Sequence, residues 1–332
     1  MRLINSAHQG DYVDPSKTTV SEFAGRWLRN WAAINVGAKT LERYEELISA
    51  HVRPYIGAVP IQKLQPVHLA ELYAKLLREG NRQRGLSKVT GLSPRTVGHV
   101  HRALHKALKV AVEWGVVQRN AAAVARPPKV EGAELEILAE EQAQTLLQKL
   151  KGQPLYPIVV LGLATGMRRG ELLALRWCDV DLDGRKLRVE HSLEQTKVGG
   201  LRPKPPKTRH GRRTISLAPS VVAELRTHWK QQQEQRLRLG LGKAPEDALV
   251  FPKWDGTPRV PTTTSTEWTR ILAQLKLPTV SLHALRHTHA SQLIASGMDV
   301  LTISRRLGHG SPTSPSKSMA TSSVAPTTEL PM

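Results

Sequence analysis

The sequence predicts a mainly α chain with a small antiparallel β-sheet confined to its second domain. Three observations carry this. Apolar residues recur at three- and four-residue spacing from residue 18 to residue 125. A proline-bearing stretch, ARPPKVEGAELEIL at 125–138, breaks that pattern. Beyond it, helical patterns alternate with two short strand-like runs, RKLRVEHS and RRTISL. A length of 332 residues gives a prior of about two domains. The predicted boundaries are a polar lead at 1–17, read as a linker or the stump of a missing domain, a helical domain at 18–125, a linker at 126–136, a second domain at 137–313 and an aberrant tail at 314–332.

In the first domain, TVSEFAGRWLRNWA opens with Thr19 or Ser21 as N-cap, and Phe23, Trp27 and Trp31 recur every four residues as a core stripe. TLERYEELISAHVRPYIG predicts a second helix, stopped near Pro54 and Gly57. QPVHLAELYAKLLREG predicts a third, with Pro66 in its first turn and Gly80 past its end. SPRTVGHVHRALHKALKVAVEWG predicts a fourth, capped by Ser93. Its Val97, Val100, Leu104, Leu108 and Ala111 form one apolar face, while Arg95, Arg102, Lys106 and Lys109 lie on another. A basic stripe opposite a buried one suits a phosphate backbone.

In the second domain, EEQAQTLLQKL, RRGELLALRW, PSVVAELRTHWKQQQEQR, HALRHTHASQLIAS and VLTISRRLG all read as helices, the last two parted by Gly297. The lone cysteine, Cys178, excludes an internal disulfide framework and is expected to fill core.

Charge narrows the function. Lys and Arg number 48 against 28 Asp and Glu, a formal net charge of +20. That points to a polyanion, nucleic acid first and an anionic membrane second. A membrane partner is not expected: the most apolar window, PIVVLGLA at 157–164, is too short to span a bilayer. The start has no apolar signal-peptide core, which fits a cytoplasmic chain.

Two metal motifs are refused. DVDLDGRKLRVE satisfies the calcium-loop spacing with Asp179, Asp181, Asp183, Gly184 and Glu190. Arg185, Lys186 and Arg188 inside it would repel a dication, and the loop leads into a strand, so an Asp-Gly turn is expected. His283, His287 and His289 lie close in sequence and the first two share a helix face, yet Ala284 stands where a zinc-protease motif needs Glu and Arg286 would set a fixed charge beside the metal. No metal and no cofactor is expected.

What remains is a cationic constellation in separate segments. Arg168 follows a Thr-Gly turn where a helix begins. Lys207 precedes a strand in a hairpin-like region. His283 and Arg286 are three apart on one helix, and His309 follows a helix that Gly308 helps to end. Phosphodiester chemistry without a metal needs such groups: planar guanidiniums for the phosphorane oxygens, a donor for the leaving oxygen and a base for the nucleophile.

Together, ATGMRRGELLALRWCDVDL, PPKTRHGRRTISL and SLHALRHTHASQLIASGMDVLTISRRLGHGSP resemble the tyrosine recombinase (phage integrase) family, over roughly residues 18–313. The resemblance implies a SAM-like core-binding domain followed by a catalytic domain. It implies that Arg168 and Arg286 clamp the scissile phosphate, that Lys207 protonates the leaving 5′ oxygen, with Lys204 and Lys197 as alternatives, that His283 is the general acid/base, and that His309 hydrogen-bonds the phosphate. It also implies a covalent 3′-phosphotyrosine, no cofactor, a mobile-element context in the bacterial nucleoid, double-stranded DNA as the partner, and a homo-tetramer on that DNA. An additional arm-site-binding domain, present in larger relatives, is not expected in this sequence.

The sequence departs from the family at the nucleophile. The tyrosine is expected near Ser318 or Met319, but the chain's tyrosines are Tyr12, Tyr44, Tyr55, Tyr73 and Tyr156. The tail after Pro312 has allowed codons that, in another frame, place a tyrosine there, so a frameshift is expected. Two functions follow as alternatives: a site-specific recombinase by descent, deficient in cleavage and weakened in tetramer assembly by loss of its C-terminal helix, or a non-catalytic remnant that occupies a core recombination site.

Overall fold

A computed structural model describes residues 14–80, 90–131, 137–206 and 209–308. Contacts divide the chain into two compact units, Met1–Ala133 and Glu134–Met332.

In the first unit, α1 (Val20–Trp27) starts at Thr19, whose hydroxyl accepts from the Glu22 N–H while the Glu22 carboxylate accepts from the Thr19 N–H, a reciprocal cap. The helix runs on through a π-helical turn, Leu28–Ala32. Helix α2 (Ala38–His51) is followed by a separate short turn α3 (Arg53–Ile56), so the predicted second helix ends sooner than its pattern suggested. Pro54 accounts for the break, since it cannot donate to the preceding turn. Helix α4 (Pro66–Glu79) and the 20-residue α5 (Pro94–Glu113) complete the main packing, with a turn α6 (Ala121–Val124) behind them. Phe23, Trp27, Ile48, Leu69, Leu76 and the five apolar residues predicted for α5 are all buried in one core. Trp31 is only partly buried and packs against it, stacked on Trp27.

The second unit is built around α8 (Tyr156–Thr165), which contacts α7 (Glu140–Leu150), α9 (Arg169–Ala174), α10 (Pro219–Arg238) and α12 (Ala284–Ala295). This central position explains why PIVVLGLA shows no amphipathic period: a helix covered on all sides is apolar all round. Strands β1 (Val180–Asp181), β2 (Lys186–Val189) and β5 (Arg213–Ser216) form an antiparallel sheet in the order β1-β2-β5, with Leu187 opposite Ile215. Strands β3 (Ser192–Thr196) and β4 (Gly200–Lys204) form a separate hairpin. Helices α11 (Pro261–Gln274) and α13 (Val300–Leu307) complete the unit.

Two expectations need correction. Cys178 is exposed rather than core-filling, because it sits in a 3-10 turn at Trp177–Asp179 whose neighbours Trp177 and Asp179 take the buried positions. RRGELLALRW is helical only to Ala174, after which Val250 N–H donates to the Leu175 carbonyl and pins the chain as an extended crossing. The DVDLDG stretch forms the β1–β2 turn, with Gly184 N–H donating to Asp181 at 2.7 Å. Its acids face cations: Asp179 meets Arg176, Asp181 meets Lys186, Asp183 meets Arg226, and Glu190 meets Arg212.

Candidate active site

The site begins at a glycine. Gly166 ends α8 in the left-handed conformation, φ +63°. A Cβ there would stand 2.5 Å from Leu307 Cδ2 and 2.8 Å from His289 Cδ2, so the α8–α9 turn can lie this close to α12 and α13 only with a bare backbone. Two residues on, Arg168 caps α9, and its N–H donates to Glu171 Oε2 at 2.9 Å. The Arg168 guanidinium donates from Nη1 to Glu171 Oε1 at 2.8 Å and from Nη2 to the Gly308 carbonyl at 3.3 Å.

Arg286, in the first turn of α12, is buried. Its Nη1 donates to the Gly166 carbonyl at 2.8 Å and its Nη2 to the Leu307 carbonyl at 2.7 Å. The two nominated arginines therefore bond the carbonyls of consecutive residues at the end of α13, although they stand 118 positions apart in the chain. Burial pushes the Arg286 pKa down to about 9, and the neighbouring charges of Arg168 and Arg213 push the same way.

His283 precedes α12, with its ring edge-on to His287 at 4.8 Å. Burial, then His287, Arg286 and Arg168, lower its pKa to about 4, so the imidazole is neutral near pH 7. Among the alternative lysines, Lys204 ends β4 and is ion-paired with Glu194 on β3. Lys197 stands in the turn between those strands. Lys207, His309, Ser318 and Met319 lie outside the described residues. The four stripe residues belong to the other unit, on the side of α5 away from its core. There Arg102 donates to His99, Lys106 sits 4.6 Å above the Trp31 ring, and Lys109 approaches Glu113 at 3.9 Å.

Sequence reasoning missed three residues that build this centre. Glu171 is the buried acid between the guanidiniums of Arg168 and Arg213. Burial raises its pKa, but the bonds from Arg213 and Arg168 outweigh that and hold it below the usual carboxylate range. Arg213, at the start of β5, also donates from Nε to the Arg306 carbonyl at 2.7 Å. Arg306 in turn donates to His289 Nε2 at 3.2 Å and to the carbonyls of Ala164 and Ser216. A period-two reading of RRTIS would have found Arg213, because it shares a strand face with buried Ile215. An acid in the first turn of a helix, such as Glu171, is too common a capping feature to stand out.

Chemically, this is a cationic seat with one internal anion. Arg168 and Arg286, on separate elements, bond adjacent carbonyls, and guanidiniums so placed are groups that could offer a tetrahedral oxyanion paired, charge-assisted hydrogen bonds.

The phage integrase family matches residues 136–317, and the phage integrase N-terminal SAM-like domain matches residues 19–77. The chain is 26% identical to a tyrosine recombinase XerC-like protein of Caldanaerobacter subterraneus subsp. tengcongensis, across 92% of this chain and 80% of that one. Its fold is similar to the Tn1549 transposon integrase in complex with a circular intermediate DNA, with TM-score 0.75, 22% identity, and 90% and 93% of the two chains covered. It is also similar to a lambda integrase, seen as a tetramer bound to a Holliday junction, with TM-score 0.63, 19% identity, and 92% and 78% covered.

Proposed function

The chain belongs to the phage integrase family, and on that footing we propose that it is a site-specific DNA recombinase by descent whose own cleavage step is lost. The observation that carries the reading is the convergence of Arg168 and Arg286 on the Gly308 and Leu307 carbonyls, directly before His309. In this reading the two guanidiniums hold the nonbridging oxygens of a scissile phosphate, with Glu171 and Arg213 fixing the first of them in place. Duplex DNA is the partner, and the α5 stripe of Arg95, Arg102, Lys106 and Lys109 contributes phosphate contacts.

The complete reaction has a defined balance. A phenol oxygen attacks phosphorus, its proton passes to His283, the P–O5′ bond breaks, and Lys207 protonates the departing 5′ oxygen. The negative charge of the bound phosphate opposes the surrounding cations and brings the His283 pKa back toward neutrality. This chain has no tyrosine after Tyr156, and the family match ends at residue 317, just before Ser318. Without the phenol the cluster binds a phosphodiester but forms no covalent link. A tetramer on paired sites is the family-type assembly, weakened here by the altered tail.

A nicked duplex carrying the core site of its own element tests this. The expected result is a mobility shift that SDS abolishes. An SDS-resistant protein–DNA adduct would overturn the loss of cleavage, and failure to bind duplex DNA at low salt would overturn the whole reading.

A further inference from the structure

The stripe on α5 has a gap that the structure fills. Arg95, Arg102, Lys106 and Lys109 share one helix face, and the turn between Arg95 and Arg102 carries His99. His99 is exposed, and its Nδ1 accepts from Arg102 Nη2 at 2.9 Å. An accepting Nδ1 leaves the ring proton on Nε2, so the free protein presents a neutral imidazole as a single outward donor. The charged groups bearing on it are Arg95 and Arg102 from its own helix and Arg43 from α2, which packs against α5. Arg102 bonds the ring, while the charges of Arg95 and of Arg43, which is itself paired with Glu46, act on it without a bond. Partial burial, then these charges, keep His99 below its ordinary pKa.

We infer that His99 is a fifth phosphate-contacting member of this stripe and takes up a proton when duplex DNA binds. The inference rests on the DNA-binding reading above. A phosphodiester placed among Arg43, Arg95 and Arg102 reverses the local field. The same position that disfavours an imidazolium in the free protein then favours one, and the second N–H becomes a charge-assisted donor. Linkage sets the sign. A group whose pKa rises on binding makes the complex tighter as pH falls, with up to about tenfold in affinity per pH unit for one proton. The gain saturates below the free-state pKa and disappears above the bound-state one.

The test uses the full chain and a short mixed-sequence duplex at low salt, read by fluorescence anisotropy from about pH 7.5 to about pH 5.5. The wild type is expected to gain affinity on acidification about fivefold more than His99→Gln, which keeps a polar side chain on an exposed position but cannot titrate. His99→Arg is expected to bind more tightly at the upper pH and to lose the same part of the dependence. Histidine ring NMR supplies a direct reading, with the His99 pKa below its ordinary value in the free protein and above it in the complex. Equal pH dependence in wild type and His99→Gln, or an unchanged His99 pKa on DNA binding, would overturn this inference and leave the DNA reading standing. No duplex binding by the wild type at any of these pH values would overturn both.

Discussion

The Arg213 guanidinium closes on both carboxylate oxygens of Glu171, Nη2 to Oε2 at 2.8 Å and Nη1 to Oε1 at 3.3 Å, with both side chains buried. Glu171 also holds Arg168, so one acid balances two guanidiniums and moderates the charge on Arg286. Removing a single partner from a buried ionic group leaves uncompensated charge. Glu171→Gln, which keeps the shape, is expected to destabilise the second unit by about 3–5 kcal/mol. Urea unfolding at neutral pH measures it. Because the folded pKa of Glu171 lies below 4.5, its contribution is present above about pH 4.5 and is lost as pH falls through the folded value. The variant should lack that acid limb.

Gly166→Ala is expected to cost about 2–4 kcal/mol, from the left-handed backbone and the contacts a methyl would make with Leu307 and His289. The carbonyl of Gly166 receives Arg286, so the damage should reach the phosphate seat proposed above. A loss of phosphate-analogue binding larger than that of an equally destabilising core variant such as Leu146→Ala is the expected signature. Isothermal titration with orthovanadate reads it.

The contrast between Arg168 and Arg213 shows what the sequence could reveal. Arg168 was legible because a Thr-Gly turn, a helix start and an apolar run coincide around it, and each is a local feature. Arg213 was not, since its role depends on Glu171, 42 positions away, and on the Arg306 carbonyl, 93 away. The helices of the first unit were legible through their amphipathic period. Helix α8 was not, because its burial erases that period. Helix α11 escaped for another reason: PTTTSTEW is rich in β-branched threonine, and its helical state is set by packing of Trp268, Ile271 and Leu272.

Acid should weaken the second unit through its histidines as well. His289 is buried, accepts at Nε2 from Arg306 and bonds the Leu163 backbone, and burial followed by Arg306 holds its pKa down to about 4. A histidine with a depressed folded pKa stabilises fully above about pH 6.5 and loses that contribution as pH falls toward 4. His289→Gln can still accept from Arg306 but does not titrate. Its stability–pH curve should be flatter between about pH 6.5 and 4, by up to about 3 kcal/mol. Denaturant midpoints across that range test the difference, and parallel curves would contradict it.

Salt separates phosphate contacts from mere surface charge. Each neutralised phosphate adds close to one unit to the slope of log affinity against log salt. Arg102 stands mid-stripe and is exposed, bonded only to neutral His99 among the described contacts. Arg102→Ala is expected to weaken duplex binding across unrelated sequences and to lower the salt slope by about 1. Lys109 faces Glu113, which already offsets part of its charge, so Lys109→Ala should lower the slope by less. Anisotropy titrations over a range of salt read both slopes. An unchanged slope in Arg102→Ala would move the DNA contact off this face of α5.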